Sequence, residues 1–291
     1  MRVVSLLVLV AAGAVPLYRS FETRPAVAAS VDRPDLVIKA MDYAFEMPIS
    51  IRPGQYRIRM VNTGKELHHV WVMRLEQGKT VADLLASLRA GVPLPSWVKN
   101  LGGPNAPVPG GESVAVVDFA PGSYAIVCYI PSPDGTLHIM KGMVKPVEVA
   151  GAPLPPLDLP VTARASLTDY DFVFAEALTP GQHVIEFSNR ASQVHEAFLA
   201  KLAPGKTAAD LLHWMEKWEG PPPAMPVGGI TGIEAGASQK VVVSLEPGTY
   251  AWYCFVPDAK DGREHVHHGM VKEFTVGAPQ ARTKGAHHGA H

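Results

Sequence analysis

The sequence predicts an all-β protein made of two tandem Greek-key β-sandwiches, each with one inserted helix. Three observations carry this expectation. The chain repeats itself about halfway along its length. Each repeat strings together short stretches rich in Val, Ile, Tyr and Phe, punctuated by Pro-Gly pairs. And each repeat holds one segment with helical rather than strand periodicity.

The repeat is read first because it organises everything else. RPGQYRIRMVN at 52–62 matches TPGQHVIEFSN at 179–189, and RLEQGKTVADLL at 74–85 matches KLAPGKTAADLL at 201–212. APGSYAIVC at 120–128 matches EPGTYAWYC at 246–254, and HIMKGMVK at 138–145 matches HVHHGMVK at 265–272. The offset is 127 residues except around the second Pro-Gly turn, where it is 126. Residues 31–150 and 161–277 are therefore expected to be the two domains. The proline-rich GAPLPPLDLP at 151–160 is a short, stiff connector, and 278–291 is a flexible tail.

Within each repeat QYRIRMVN, ESVAVVDF and SYAIVCYI, with their counterparts, are the strands, and several short strands over so few residues suggest a sandwich. Thr80 and Thr207 stand three residues before Asp83 and Asp210, a capping-box-like helix start. Val81, Leu84, Leu85 and Leu88 then recur at helical spacing, as do Ala208, Leu211, Leu212 and Met215. These residues, with Trp214 and Trp218, are expected to pack.

Composition bounds the rest. With 291 residues, 47% hydrophobic and 18% charged, the chain is globular and long enough for two domains. A net charge of −1 gives no reason to expect a nucleic acid or an anionic membrane as partner. Arg2, the apolar run Val3 to Leu17 and the small residues Ala26-Val27-Ala28 read as a signal peptide over 1–28. That run is shorter than the roughly 20 residues of a membrane span. The polar stretch Tyr18 to Pro25 leaves an uncleaved N-terminal anchor as the alternative. The mature protein is expected to be periplasmic or secreted, without a membrane span.

Only two cysteines are present, Cys128 and Cys254. In an exported protein one disulfide is the plain expectation, and it needs the Cα atoms within about 7 Å of each other. Buried inert thiols are the other plain reading. Aligning the repeats points elsewhere. His68 matches His195, Cys128 matches Cys254, His138 matches His265 and Met143 matches Met270. His69 faces Glu196, Met140 faces His267 and Lys141 faces His268, so those histidines are not needed in both copies. His69 is a rival to His68 as ligand, and His267 or His268 a rival to His265. His183 and His213 fall where the other repeat has Tyr56 and Ala86 and read as packing or surface residues. His287, His288 and His291 lie in the tail. Two imidazoles, a thiolate and a weak axial thioether suit copper in its blue electron-transfer form.

At these residues the chain resembles the cupredoxins, the plastocyanin- and azurin-like blue copper proteins, as a tandem pair. The resemblance covers both repeats and rests on Asn62…His68…Cys128…His138…Met143 and Asn189…His195…Cys254…His265…Met270. It implies a type 1 copper site in each repeat that cycles between Cu(I) and Cu(II), ligated by His68, Cys128, His138 and Met143, and by His195, Cys254, His265 and Met270. It also implies that Asn62 and Asn189 brace the ligand loops. The cysteine-to-histidine spacing of ten and eleven residues is longer than in most small electron carriers of the family. Multicopper oxidases and copper nitrite reductases place His beside the cysteine; here Val127 and Tyr129, and Tyr253 and Phe255, stand there. The expected activity is one-electron transfer to a periplasmic or extracellular redox partner, not substrate turnover. The alternatives are a copper store or delivery protein, a copper oxidoreductase, and a metal-free sandwich.

Overall fold

The computed structural model describes residues 33–92, 94–217 and 219–277. The signal peptide read over 1–28, Trp218 and the tail from 278 lie outside the described residues. No helix among them is long and apolar enough to cross a membrane.

The first repeat contributes β1 (Leu36–Met41), β2 (Ala44–Glu46), β3 (Ser50–Ile51), β4 (Gly54–Asn62) and β5 (Trp71–Leu75). Helix α1 (Val81–Arg89) is followed by β6 (Val98–Gly102), β7 (Glu112–Phe119), β8 (Gly122–Val127) and β9 (Val144–Val149). The second repeat contributes β10 (Ala163–Thr168), β11 (Asp171–Phe174), β12 (Gly181–Asn189) and β13 (His195–Leu202). Helix α2 (Ala208–Lys217) precedes β14 (Ala224–Ile233), β15 (Ser238–Leu245), β16 (Gly248–Tyr253) and β17 (Val271–Val276). Both helices start as the sequence indicates: Thr80 and Thr207 accept from the backbone N–H of Asp83 and Asp210, whose carboxylates accept in return.

The repeats do not sit apart on their connector. Both sheets run through both repeats, in the orders β11-β10-β12-β15-β7-β4-β1-β2 and β17-β16-β13-β14-β6-β5-β8-β9-β3. Apart from β3, each order reads the same from either end once every strand is exchanged for its repeat counterpart. The join is symmetric in register as well. β7 and β15 pair through Ala115↔Val241, with Val114↔Val242 and Val116↔Lys240 on either side. In the other sheet Pro104↔Ile230 is central, flanked by Pro107↔Val227 and Leu101↔Ile233. Pro104 and Ile230 are themselves repeat counterparts, as are Ala115 and Val241, so a pseudo-two-fold axis passes through both pairs.

Glycine is required beside that axis. Gly103 (φ +142°) and its counterpart Gly229 (φ +118°) press on the carbonyls of Val70 and Ala197, where a Cβ would stand 2.2 and 1.9 Å from oxygen. Thr231 N–H donates to Gly103 and Asn105 N–H to Gly229, stitching the join. The connector is pinned too, with Leu154 N–H donating to the Pro53 carbonyl and Lys240 Nζ to that of Leu159.

The core between the sheets is continuous across the join, where Trp71 and Met73 of the first repeat belong to the cluster of the second. Ile38, Ile58, Met60, Val72, Phe119 and Ile126 fill the first, and Leu167, Phe172, Phe187, Leu199, Val241 and Trp252 the second. The outer faces of β5–β8 and β13–β16 are covered as well, by Leu84 of α1 and by Ala208 and Leu211 of α2. That explains why β5 and β13 are buried on both faces.

Candidate metal centres

In each repeat the cysteine follows directly on the end of a strand, β8 or β16, and the chain returns through a loop. A single 3₁₀ turn, His138–Lys141 or His265–His268, follows, closed by a glycine in the left-handed region. The turn is held to the cysteine by backbone bonds. Ile139 N–H donates to the Cys128 carbonyl and Cys128 N–H to that of Met143; Val266, Cys254 and Met270 do the same. Cysteine, second histidine and methionine are thereby fixed together. The first histidine arrives on the loop before β5 or at the start of β13. Asn62 Nδ2 donates to the carbonyls of Glu66 and Pro107, and its Oδ1 accepts from Gly64 N–H. Asn189 does likewise with Gln193, Ile233 and Ala191. Both asparagines brace the approach to the first histidine.

The structure brings His68, Cys128 and His138 into one group and His195, Cys254 and His265 into another, each with its ligand atoms within 4.8 Å of one another. All six side chains, with Met143 and Met270, are 0% exposed. In the first group the Nδ1 atoms of His68 and His138 lie 3.1 Å apart, and His138 Nδ1 is 3.4 Å from Cys128 Sγ. In the second, Cys254 Sγ is 3.7 Å from His195 Nδ1 and 3.3 Å from His265 Nδ1. Both cysteines are free thiols rather than a disulfide.

The far side of each ring explains the near side. His68 Nε2 is 2.9 Å from Asp42 Oδ1, His138 Nε2 2.8 Å from Glu66 Oε2, and His195 Nε2 2.8 Å from Asp169 Oδ1. Burial alone would raise these carboxyls. The histidine bonds and other donors outweigh it and hold Asp42, Glu66 and Asp169 below their ordinary values. An ionised carboxylate can only accept, so each Nε2 carries the proton and each Nδ1 presents a bare lone pair. Burial disfavours protonating the second nitrogen and pushes His138 and His195 down, and His265 to about 4. With the protons on both Nε2 atoms, the facing Nδ1 lone pairs of His68 and His138, 3.1 Å apart, are mutually repulsive unless a cation lies between.

The thiols have the same need. Burial pushes Cys128 up to about 12, against N–H bonds from His69 and Ile130, and Cys254 well above its usual value, against those from Glu196 and Val256. Those amides already face each sulfur, and a metal supplies the charge that deprotonates it. A soft thiolate, two imidazole nitrogens and a buried methionine fit copper. Each repeat is a two-sheet β-sandwich that carries one such donor set.

The remaining histidines separate cleanly. His69, the rival to His68, turns away and accepts the backbone N–H of Tyr129 at 2.9 Å. Burial holds it near 3, hence neutral. Its counterpart Glu196 takes the same bond from Phe255 N–H at 2.9 Å, so two unlike residues do one job. His267 is exposed, and His268 lies beside Asp261 rather than the thiol. His183 and His213 are away from both groups. The carboxylates went unread in the sequence, although MDYAF at 41–45 against TDYDF at 168–172 carried the signal.

No family model and no curated protein matches the sequence. Among solved structures, auracyanin from Roseiflexus castenholzii is similar, with 20% identity over 40% of this chain and 95% of its own and a TM-score of 0.29. A multicopper oxidase is 12% identical over 83% of this chain and 88% of its own, with a TM-score of 0.26. A copper-containing nitrite reductase from Thermus scotoductus is 14% identical over 84% and 68%, with a TM-score of 0.24. Similarity at this level carries no inference about this chain.

Proposed function

We propose that the chain is an exported one-electron carrier with two type 1 copper sites, one in 31–150 and one in 161–277, produced by duplication of a single cupredoxin unit. The observation that carries this is the pair of buried groups in which two imidazole Nδ1 atoms and a thiol converge. A bound copper ion would shuttle one electron by alternating between Cu(I) and Cu(II). The protein's part is to hold His68, Cys128, His138 and Met143, and His195, Cys254, His265 and Met270, on a frame too rigid to follow the change. The residues beside the cysteines support transfer over substrate turnover: Tyr129 packs on Trp71 and Phe255 on Phe198 and Tyr253. The partner would be a periplasmic or extracellular redox protein.

The test is to load the purified protein with Cu(II) and record visible and EPR spectra. An intense thiolate-to-copper band is expected, reduced by about half in Cys128→Ser or Cys254→Ser and absent from the double variant. A colourless, copper-free product would refute the reading. Voltammetry separates carrier from store, because slow or irreversible electron exchange would favour storage or delivery.

A further inference from the structure

The two centres differ on their outer side, and the difference points to a third metal ion. In the first repeat Lys141 lies over the outer side of the centre, with Nζ 2.9 Å from Asp134 Oδ2 and 3.5 Å from Tyr43 Oη. Tyr43 in turn donates to Glu66, which caps His138. A fixed positive charge therefore belongs to this corner. In the second repeat the counterpart of Lys141 is His268, that of Asp134 is Asp261, and that of Ser132 is Asp258. The ammonium is gone, and the carboxylate has moved: Glu66 becomes Gln193 while Ser132 becomes Asp258, which takes the tyrosine bond instead. Asp258, Asp261 and His268 bring their ligand atoms within 4.8 Å of one another.

A second observation comes from His265. Its Nε2 is fully buried and has no hydrogen-bond partner among the described residues. It points at Asp258 Oδ2 from 3.6 Å, too far for a hydrogen bond. Asp258 is itself only 1% exposed. Its Oδ2 is held by Tyr170 Oη at 2.6 Å and Gln193 Nε2 at 2.9 Å, and its Oδ1 by Lys260 N–H at 2.8 Å. Those donors keep it ionised, below its ordinary range. Asp261 Oδ1 accepts from Arg263 N–H and lies 3.2 Å from His268 Nε2.

We propose that Asp258, Asp261 and His268 form a site for a divalent transition ion of the zinc class, standing where Lys141 stands in the first repeat. One imidazole and two carboxylates suit such an ion, with water completing its shell. The ion supplies the positive charge that the first repeat builds in covalently, and it is independent of the copper centres.

Equilibrium dialysis of the purified full chain against Zn(II), with bound zinc counted per chain, tests the proposal. His268→Lys, which rebuilds the first repeat's arrangement, is expected to bind one zinc fewer than wild type at matched copper loading. Asp261→Asn is expected to lose the same equivalent. Zinc taken up elsewhere is common to all three proteins and cancels. Equal zinc in wild type and His268→Lys would overturn the site. Failure of the copper reading would show in the spectra and leave this difference intact, so the two proposals fail separately.

Discussion

The bond between Asp169 and His195 gives the copper reading a quantitative consequence. Replacing Asp169 by Asn keeps an acceptor at 2.8 Å from His195 Nε2 but removes its charge. Hydrogen bonds to charged groups contribute about 1.5–3 kcal/mol and neutral ones about 0.5–1.5, so the substitution weakens this one by roughly 1–1.5 kcal/mol. The Asp169 side chain is 34% exposed, and solvent screening puts the expected value at the low end, about 1 kcal/mol. An anionic partner makes the imidazole a better donor and favours the more highly charged Cu(II). Its loss should therefore raise the reduction potential. At 59 mV per tenfold change for one electron, 1 kcal/mol is about 40 mV. The measurement is protein-film voltammetry in a Cys128→Ser background, where only the second centre is read. Ser192 and Gln193, the other partners of Asp169, can still bond asparagine, and an unchanged melting temperature serves as the control. An unchanged or lowered potential would refute the claim that this carboxylate tunes the ligand.

Other expectations concern stability. Asn62→Ala and Asn189→Ala each remove three hydrogen bonds from a fully buried side chain. Each should cost about 3 kcal/mol, seen as a lowered urea midpoint at constant m; a loss below 1 kcal/mol would mean the brace is not needed. Gly103→Ala and Gly229→Ala force a Cβ onto a backbone carbonyl beside the axis and should each destabilise by several kcal/mol. A neutral result at either would show the join relaxes readily. Copper at a thousandfold excess over its dissociation constant should stabilise by about 4 kcal/mol per site. Thermal denaturation of wild type should thus show roughly twice the copper-induced gain of Cys254→Ser.

Much of this was legible because the chain contains its own comparison. Matching Cys128 with Cys254 and Met143 with Met270 picked eight buried residues, six of which the structure gathers into two groups, and set aside His267, which is exposed. Helix starts were legible because Thr-x-x-Asp is a local signal. What stayed hidden is non-local. Asp42 and His68 are 26 residues apart; the repeat marks Asp42 as shared with Asp169, but only the fold shows which side chain it bonds. The same comparison also misled at one point. His69 and Glu196 differ in type, so they read as unrelated, yet both present an acceptor to the amide after the cysteine. Shared sheets were likewise invisible, since neither β7 nor β15 differs in composition from strands that pair within one repeat.

The symmetric join has a consequence for a severed chain. Its central pairs are each made of a residue and that residue's own counterpart, the arrangement of an isologous contact in a homodimer. A half-molecule would therefore carry a self-complementary face and two unpaired apolar strand edges, β14 and β15. Such edges seek a partner. The second repeat expressed alone should recreate the missing half with another copy of itself, a C2 dimer with two identical metal pockets. In that light the connector confers unequal halves rather than association: by joining two copies in one chain, it allowed Lys141 and His268 to diverge.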